Sequence, residues 1–152
     1  MRLRSLAESP DAYGQTVAEA AAEADATWET QARTGARGTR RTWLVAERTD
    51  AGDPRPVVGV ATGRRRVPDT LLVFSVWVAP EVRGTGTGRA LIEACEAWGR
   101  AWGARRTLLW VVRGNAAALG FYAALGFVRE VGTEDAARGA GFDAWALTRP
   151  IG

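Results

Sequence analysis

An almost unbroken apolar run, Leu71-Leu72-Val73-Phe74-Ser75-Val76-Trp77-Val78, leads through Ala79-Pro80-Glu81-Val82 into the glycine-rich stretch Arg83-Gly84-Thr85-Gly86-Thr87-Gly88. A run this apolar fits a strand covered on both faces. Beyond the glycines, Leu91, Ala94, Cys95, Trp98, Ala101 and Trp102 share one helical face while Glu93, Glu96 and Arg100 fall elsewhere. That helix should end near Gly99 to Gly103, before a second buried strand at Leu108–Val112. Strand, glycine turn, helix and strand predict a parallel crossover, which restricts the chain to α/β architectures.

The flanking segments add antiparallel elements. Residues 3–8 read as a short helix stopped by Ser9-Pro10, because a residue before proline is pushed out of the helical region. Thr16 and Glu19 form a capping box for a second helix reaching about Gln31, with Val17, Ala20, Ala21, Ala24 and Trp28 as its apolar stripe. A loop rich in Gly and Arg occupies 34–41. Residues 42–47 and 56–61 are β-rich runs around the turn cluster Asp50-Ala51-Gly52-Asp53-Pro54, which predicts a hairpin. Asn115 caps a helix closed by Gly126, and residues 126–131 and 142–147 read as closing strands. The expected fold is a mixed α/β sheet, antiparallel and parallel, flanked by helices.

Alternating glycines between a strand and a helix let backbone N–H groups face a bound anion, with the positive end of the helix dipole behind them. Two better-known phosphate loops are excluded. A dinucleotide-binding fingerprint would need glycine where Arg89 stands and an acid about 20 residues on, where Ala104 to Arg106 lie. A Walker A loop needs a lysine, and the chain has none. A plain tight turn is the bland alternative.

Composition closes further chemistry. Cys95 is the only cysteine and there is no histidine, so an internal disulfide, a Cys/His metal site and any histidine-based triad are out. A length of 152 residues suits one domain spanning 1–152. No apolar run approaches the roughly 20 residues of a membrane helix, and no secretory leader opens the chain, which reads as cytoplasmic. The net charge of +3 rests on arginine alone. Its densest run, Arg64-Arg65-Arg66, reads as a solvated hairpin end, with contact to an acidic substrate or a cofactor phosphate as the alternative. It lacks the pattern of a nucleic-acid site.

Two motifs together resemble the GNAT superfamily of N-acetyltransferases, over about Leu3 to Leu147. The first is Arg83-Gly84-Thr85-Gly86-Thr87-Gly88 after Val76-Trp77-Val78, similar to the family's Gln/Arg-x-x-Gly-x-Gly/Ala element. The second is Asn115 and Tyr122, within Gly114 to Phe127, similar to its Asn-to-Tyr helix and following Gly-Phe strand. The resemblance implies acetyl-CoA as cofactor and an amine as acceptor. It implies that the segment Val76-Trp77-Val78 meets the pantetheine arm, through the backbones of Val76 and Val78, where two strands splay apart. Gly84, Thr85, Gly86, Thr87, Gly88 and Arg89, beside Arg83, would hold the pyrophosphate. Asn115 would contact the cofactor arm, and Tyr122 would protonate the departing thiolate.

The chain departs from the family pattern twice. Some members carry a glutamate on the strand before the Asn-Tyr helix as general base, whereas Leu108–Val112 has no acid. A water relay to Glu47, Asp69 or Ser75 is open, and none is singled out. The family's usual first strand is also missing, which would expose the strand containing Trp43 as a sheet edge and leaves monomer and homodimer both open. The acceptor pocket should draw on residues 13–31 and 133–141, with Trp28, Trp43, Trp77, Trp110 and Trp145 as core or pocket aromatics. A non-catalytic acyl-CoA-binding module is the alternative function.

Overall fold

The computed structural model describes residues 2–8, 16–22, 30, 33, 39–50, 52, 54–66, 68–131 and 143–152. Its strands are β1 (Arg41–Glu47), β2 (Val57–Arg66), β3 (Thr70–Val78), β4 (Arg106–Val112), β5 (Val128–Arg129) and β6 (Ala144–Pro150). The helices are α1 (Arg2–Glu8), α2 (Val17–Ala22), α3 (Thr87–Ala101) and α4 (Ala116–Ala124), with a 3-10 turn at Pro80–Val82. The six strands form one sheet in the order β1-β2-β3-β4-β6-β5. Only β3 and β4 pair in parallel, joined through α3 as the strand and helix order requires. Among the described residues no strand precedes α1, and β1 lies at a sheet edge.

The main core lies between the sheet and α3. Leu91, Ile92 and Cys95 of the helix meet Leu71, Val73, Leu109 and Val111 of the central strands. The face opposite α3 carries a smaller cluster of Leu72, Leu108 and Ala146, with Phe74 and Trp110 packed on it. Both sides of β3 are thus apolar, as its unbroken sequence demands.

Helices α3 and α4 close in the same way. After α3, Gly103 takes φ +87°, its N–H bonding to Arg100 O and that of Ala104 to Gly99 O, both at 3.0 Å. After α4, Gly126 takes φ +83°, its N–H bonding to Ala123 O and that of Phe127 to Tyr122 O. These are Schellman closures, which need a left-handed residue that glycine supplies without strain. In the second, Phe127 packs edge-on against Tyr122, with ring centroids 5.5 Å apart.

Several expectations need adjustment. The capping box exists, with Thr16 N–H donating to Glu19 Oε2 at 2.7 Å and Glu19 N–H to Thr16 Oγ1 at 3.2 Å. The Thr16 N–H, and its hydroxyl donating at 2.9 Å, hold the Glu19 carboxyl below its usual range. Residues 23–29 and 31 of the expected second helix, and 34–38 of the expected loop, lie outside the described residues. β2 runs on past the expected residue 61 through Arg64, Arg65 and Arg66 to pair Arg66 with Thr70, so the triplet is the exposed end of the β2–β3 hairpin, within the strand. Their guanidinium groups sit over Phe74, Trp102 and Trp110, and the stems gain packing that an open turn would not provide. β5 is cut to two residues, while β6 continues to Pro150 because it pairs along the whole of β4.

A buried ion pair locks these layers. Arg149 of β6 donates to Glu96 of α3 at 2.8 and 2.6 Å, and Thr107 of β4 adds a third bond at 2.8 Å. Arg149 also donates to the carbonyl of Leu125, the residue that caps the C-terminal end of α4. Their side chains are 15% and 6% exposed, so water cannot replace a lost partner. Arg149→Met should therefore destabilise the protein by about 3–5 kcal/mol, read from urea unfolding. A loss below about 1 kcal/mol would mean the pair behaves as a solvated one.

Candidate functional site

The parallel ladder between β3 and β4 joins Thr70, Leu71 and Leu72 to Arg106, Thr107 and Leu108, and stops there. On its other side, β3 bulges against β2: Val60 pairs with Trp77 and Thr62 with Phe74, so Ser75 and Val76 face the single residue Ala61. Ser75 takes φ +51°, the only positive φ outside glycine among the described residues. An extra residue reverses the alternation of side chains and bends the strand. Beyond the bulge, Val76 and Val78 pack toward the α3 core, whereas Trp77 packs with Val58 and Val60. Into the gap opens a cavity of about 100 Å³, lined by Phe74, Ser75, Trp110, Val112, Asn115 and Tyr122 among others.

A larger cavity of about 340 Å³ adjoins it, lined by Val76, Trp77, Val78, Arg83, Gly84, Gly88, Asn115, Phe121 and Tyr122 among others. The glycine loop forms one wall. Gly84 and Gly86 take φ +79° and +92°, and Gly86 is the N-cap of α3 with no side chain to cap it. The first-turn N–H groups of Thr87, Gly88 and Arg89 have no acceptor within the helix, as at any helix start. Gly88 serves a second purpose, because a Cβ there would lie 3.0 Å from Phe121 Cζ. Thr85 Oγ1 bonds to Val82 O at 2.7 Å and lies 2.9 Å from Thr87 Oγ1, which fixes the loop.

Arg83 is already engaged: its Nε donates to Val78 O at 3.1 Å, and its other end pairs with Glu8 of α1. Glu8 also accepts from Trp77 Nε1 at 2.7 Å, so one carboxylate ties the bulged strand and the glycine loop to α1. The sequence reading missed Glu8; no motif marks it, and it lies 69 and 75 residues from its partners. A neighbouring contact, Arg4 to Glu81 at 2.8 Å, holds the Glu81 carboxyl below its usual range. Arg89 makes only an exposed contact of 3.7 Å with Glu93.

Asn115 caps α4, its Oδ1 accepting from Ala118 N–H at 3.0 Å, and it borders both cavities. Tyr122 also borders both, held edge-on by Phe121 and Phe127 at 5.0 and 5.5 Å. Of the three acids and hydroxyls considered for a relay, Ser75 alone lines a described cavity. Glu47 is exposed at the end of β1, and Asp69 sits in the turn before β3. Trp77 and Trp110 are cavity walls. Trp145 lies under Arg113 and Arg129 instead, Trp43 borders neither cavity, and Trp28 and residues 132–142 lie outside the described residues. No group of metal-ligating side chains occurs among the described residues, nor a helix long and apolar enough to cross a membrane.

The site's fit to a CoA molecule rests on two features: backbone donors at an uncapped helix start, and a strand edge released from its ladder beside an elongated cavity. The first suits a pyrophosphate and the second the amides of a pantetheine arm.

The family model described as "Acetyltransferase (GNAT) family" matches residues 4–127. No functionally curated protein matches the chain by sequence. Among solved structures, nourseothricin acetyltransferase is similar at 28% identity and a TM-score of 0.61, covering 75% of this chain and 67% of its own. A GNAT-family acetyltransferase from Streptococcus pneumoniae superposes with a TM-score of 0.73 at 20% identity, covering 99% and 90%. Spermidine N-acetyltransferase from Vibrio cholerae, solved with CoA and spermine, gives a TM-score of 0.64 at 18% identity, covering 85% and 76%.

Cys95 stands apart from this site. It is fully buried, and burial, reinforced by the neighbouring Glu96, pushes its thiol up to about 12. A thiol reagent at pH 8 should therefore modify native protein only as fast as the chain opens, and urea should accelerate the reaction in step with unfolding. Rapid labelling of folded protein would contradict this.

Proposed function

Because the chain belongs to the GNAT acetyltransferase family, whose members use acetyl-CoA, we propose that it transfers an acetyl group from acetyl-CoA to a primary amine, with residues 1–152 as one catalytic domain. The observation that carries this reading is the junction of the uncapped glycine helix start with the parted strands, and the presence of Tyr122 where the two cavities meet. One neighbour is named as a nourseothricin acetyltransferase and another as a spermidine N-acetyltransferase, and the second name is consistent with an amine acceptor here.

When bound, acetyl-CoA supplies an activated acetyl group as a thioester. The backbone N–H groups of Gly84 to Arg89 would bind the diphosphate charge at the positive end of α3, with Arg89 adding a guanidinium. Arg83 would shape the loop through the two N–H groups that Val78 O and Glu8 occupy, and its remaining donors would face the diphosphate. The edges of Val76 and Val78 would orient the arm through strand-like hydrogen bonds, a positional gain that turns a two-body encounter into an intramolecular one. Asn115 spends its oxygen on the cap and keeps its amide group for the arm. The Tyr122 hydroxyl would hold a proton beside the leaving sulfur, in a position fixed by Phe121 and Phe127.

A non-catalytic acyl-CoA-binding role is the second reading, favoured by the absence of an acid between Leu108 and Val112. Release of free CoA over an amine panel separates the two. Coenzyme A should raise the melting temperature, because it binds the native state alone. Gly86→Glu, which puts a carboxylate at the loop and a Cβ at φ +92°, should abolish that rise. An undiminished shift would place the cofactor elsewhere.

Tyr122→Phe removes one hydroxyl and keeps the packed ring. Single-turnover acetyl transfer should fall by about 10² to 10⁴ with little change in acetyl-CoA affinity. Equal single-turnover rates would make Tyr122 a packing residue.

A further inference from the structure

The transfer chemistry leaves three arginines unexplained on the sheet face opposite α3. Arg41 of β1 stands directly across from Arg64 of β2, and like charges so placed repel. Their guanidinium carbons lie 5.5 and 5.7 Å from the ring centre of Phe74, and that of Arg66 lies 5.7 Å from Trp110. Among the described residues, none of the three is paired with a carboxylate. Arg4, Arg48, Arg83, Arg106 and Arg149, by contrast, each pair with an acid.

The position of this cluster gives it meaning. Phe74 and Trp110, the rings under the guanidinium groups, are walls of the smaller cavity, and Tyr122 is another. That cavity is lined from both sides of the sheet: Phe74 and Trp110 belong to the face opposite α3, Val73 and Leu109 to the α3 core. The donor set is also one-sided. The indole nitrogen of Trp110, a wall of the cavity, is buried without an acceptor, and guanidinium groups only donate. Three guanidinium groups over two rings that wall this cavity, which has no acid in its lining, complement an acceptor-only anion. Paired guanidinium groups suit a carboxylate in particular.

Resting on the acetyl-transfer reading, we propose that Arg41, Arg64 and Arg66 bind a carboxylate of the acceptor, so that this protein acts on amines that also carry a carboxylate. The aromatic walls would pack the hydrocarbon between the two charged ends, and the amine would enter the gap between β3 and β4. A polycation such as spermidine would meet the wrong charge on this face.

The test compares β-alanine, γ-aminobutyrate and 6-aminohexanoate, each with its own amide, and spermidine. Each is titrated calorimetrically into protein saturated with CoA and assayed for CoA release from acetyl-CoA. At least one acid should bind about tenfold or more tightly than its amide, the scale of a charge-assisted hydrogen bond. The double variant Arg64→Gln/Arg66→Gln should bring that ratio to about one, and a retained CoA-induced thermal shift shows that it is folded. An alanyl-glutamate peptide amide against its glutamine counterpart separates a peptide source of the carboxylate from a free amino acid. Equal binding of acids and amides, no binding of any acid or peptide, tighter binding of spermidine, or an unchanged ratio in the variant would overturn the proposal. Selective acid binding without acetyl transfer would uphold the anion site and overturn the transfer reading instead.

Discussion

Parallel pairing between β3 and β4 lasts for three residue pairs, and the loss of the ladder beyond Leu72 and Leu108 is the constraint around which the site is built. A strand that abandons its neighbour inside a sheet leaves N–H and C=O groups that must find other partners. The chain limits that cost by keeping both strands well paired on their other edges, β3 with β2 and β4 with β6. The bulge at Ser75 and Val76 adds the bend, turning Val78 toward the glycine loop and Trp77 toward Glu8. The sheet opens beyond Leu72 on the β4 side, and the bulge on the β2 side, where Ser75 takes φ +51°, then aims the released edge.

The second requirement is a rigid frame around the opening. Tyr122 occupies the C-terminal end of a nine-residue helix, too short to be stable by itself. Its position is fixed by the Asn115 cap at one end and by the Schellman closure at the other, where Phe127 folds back onto its ring. Arg149 bonds the Leu125 carbonyl and carries that restraint through Glu96 to α3. The two helices that flank the opening are therefore coupled through one buried charge pair, distant from the reacting groups.

Much of this was legible in the sequence, for identifiable reasons. The apolar run of β3 and the Asn115 and Gly126 caps follow from periodicity and from backbone demands that few residue types meet. The face of α3 follows only in part: the helix buries Leu91, Ile92, Cys95, Glu96 and Gly99 and exposes Ala94 and Ala101, which helical spacing places on its apolar face. Glu96 is drawn inward by its pair with Arg149. The glycine loop was legible as a strand-to-helix turn that needs positive φ, at Gly84 and Gly86, whereas Gly88 owes its identity to the close approach of Phe121. Other features left no local signature. Ser75 at a positive φ carries no preference that marks a bulge, and Glu8 gains its importance only through tertiary contacts with Trp77 and Arg83. β2 was expected to end at residue 61 because an arginine triplet carries no strand signal until aromatic rings are placed beneath it.

The account predicts a specific pattern of backbone response, since it assigns the cofactor to main-chain groups more than to side chains. In amide-resolved nuclear magnetic resonance, titration with coenzyme A should shift the signals of Val76, Val78 and the run from Gly84 to Arg89 most strongly, with Asn115 and Tyr122 next. The edge strand β1 should remain largely unperturbed. Saturable shifts concentrated on β1 or β5, with the glycine loop and the β3 edge unaffected, would contradict the assignment of the opening between β3 and β4 as the site.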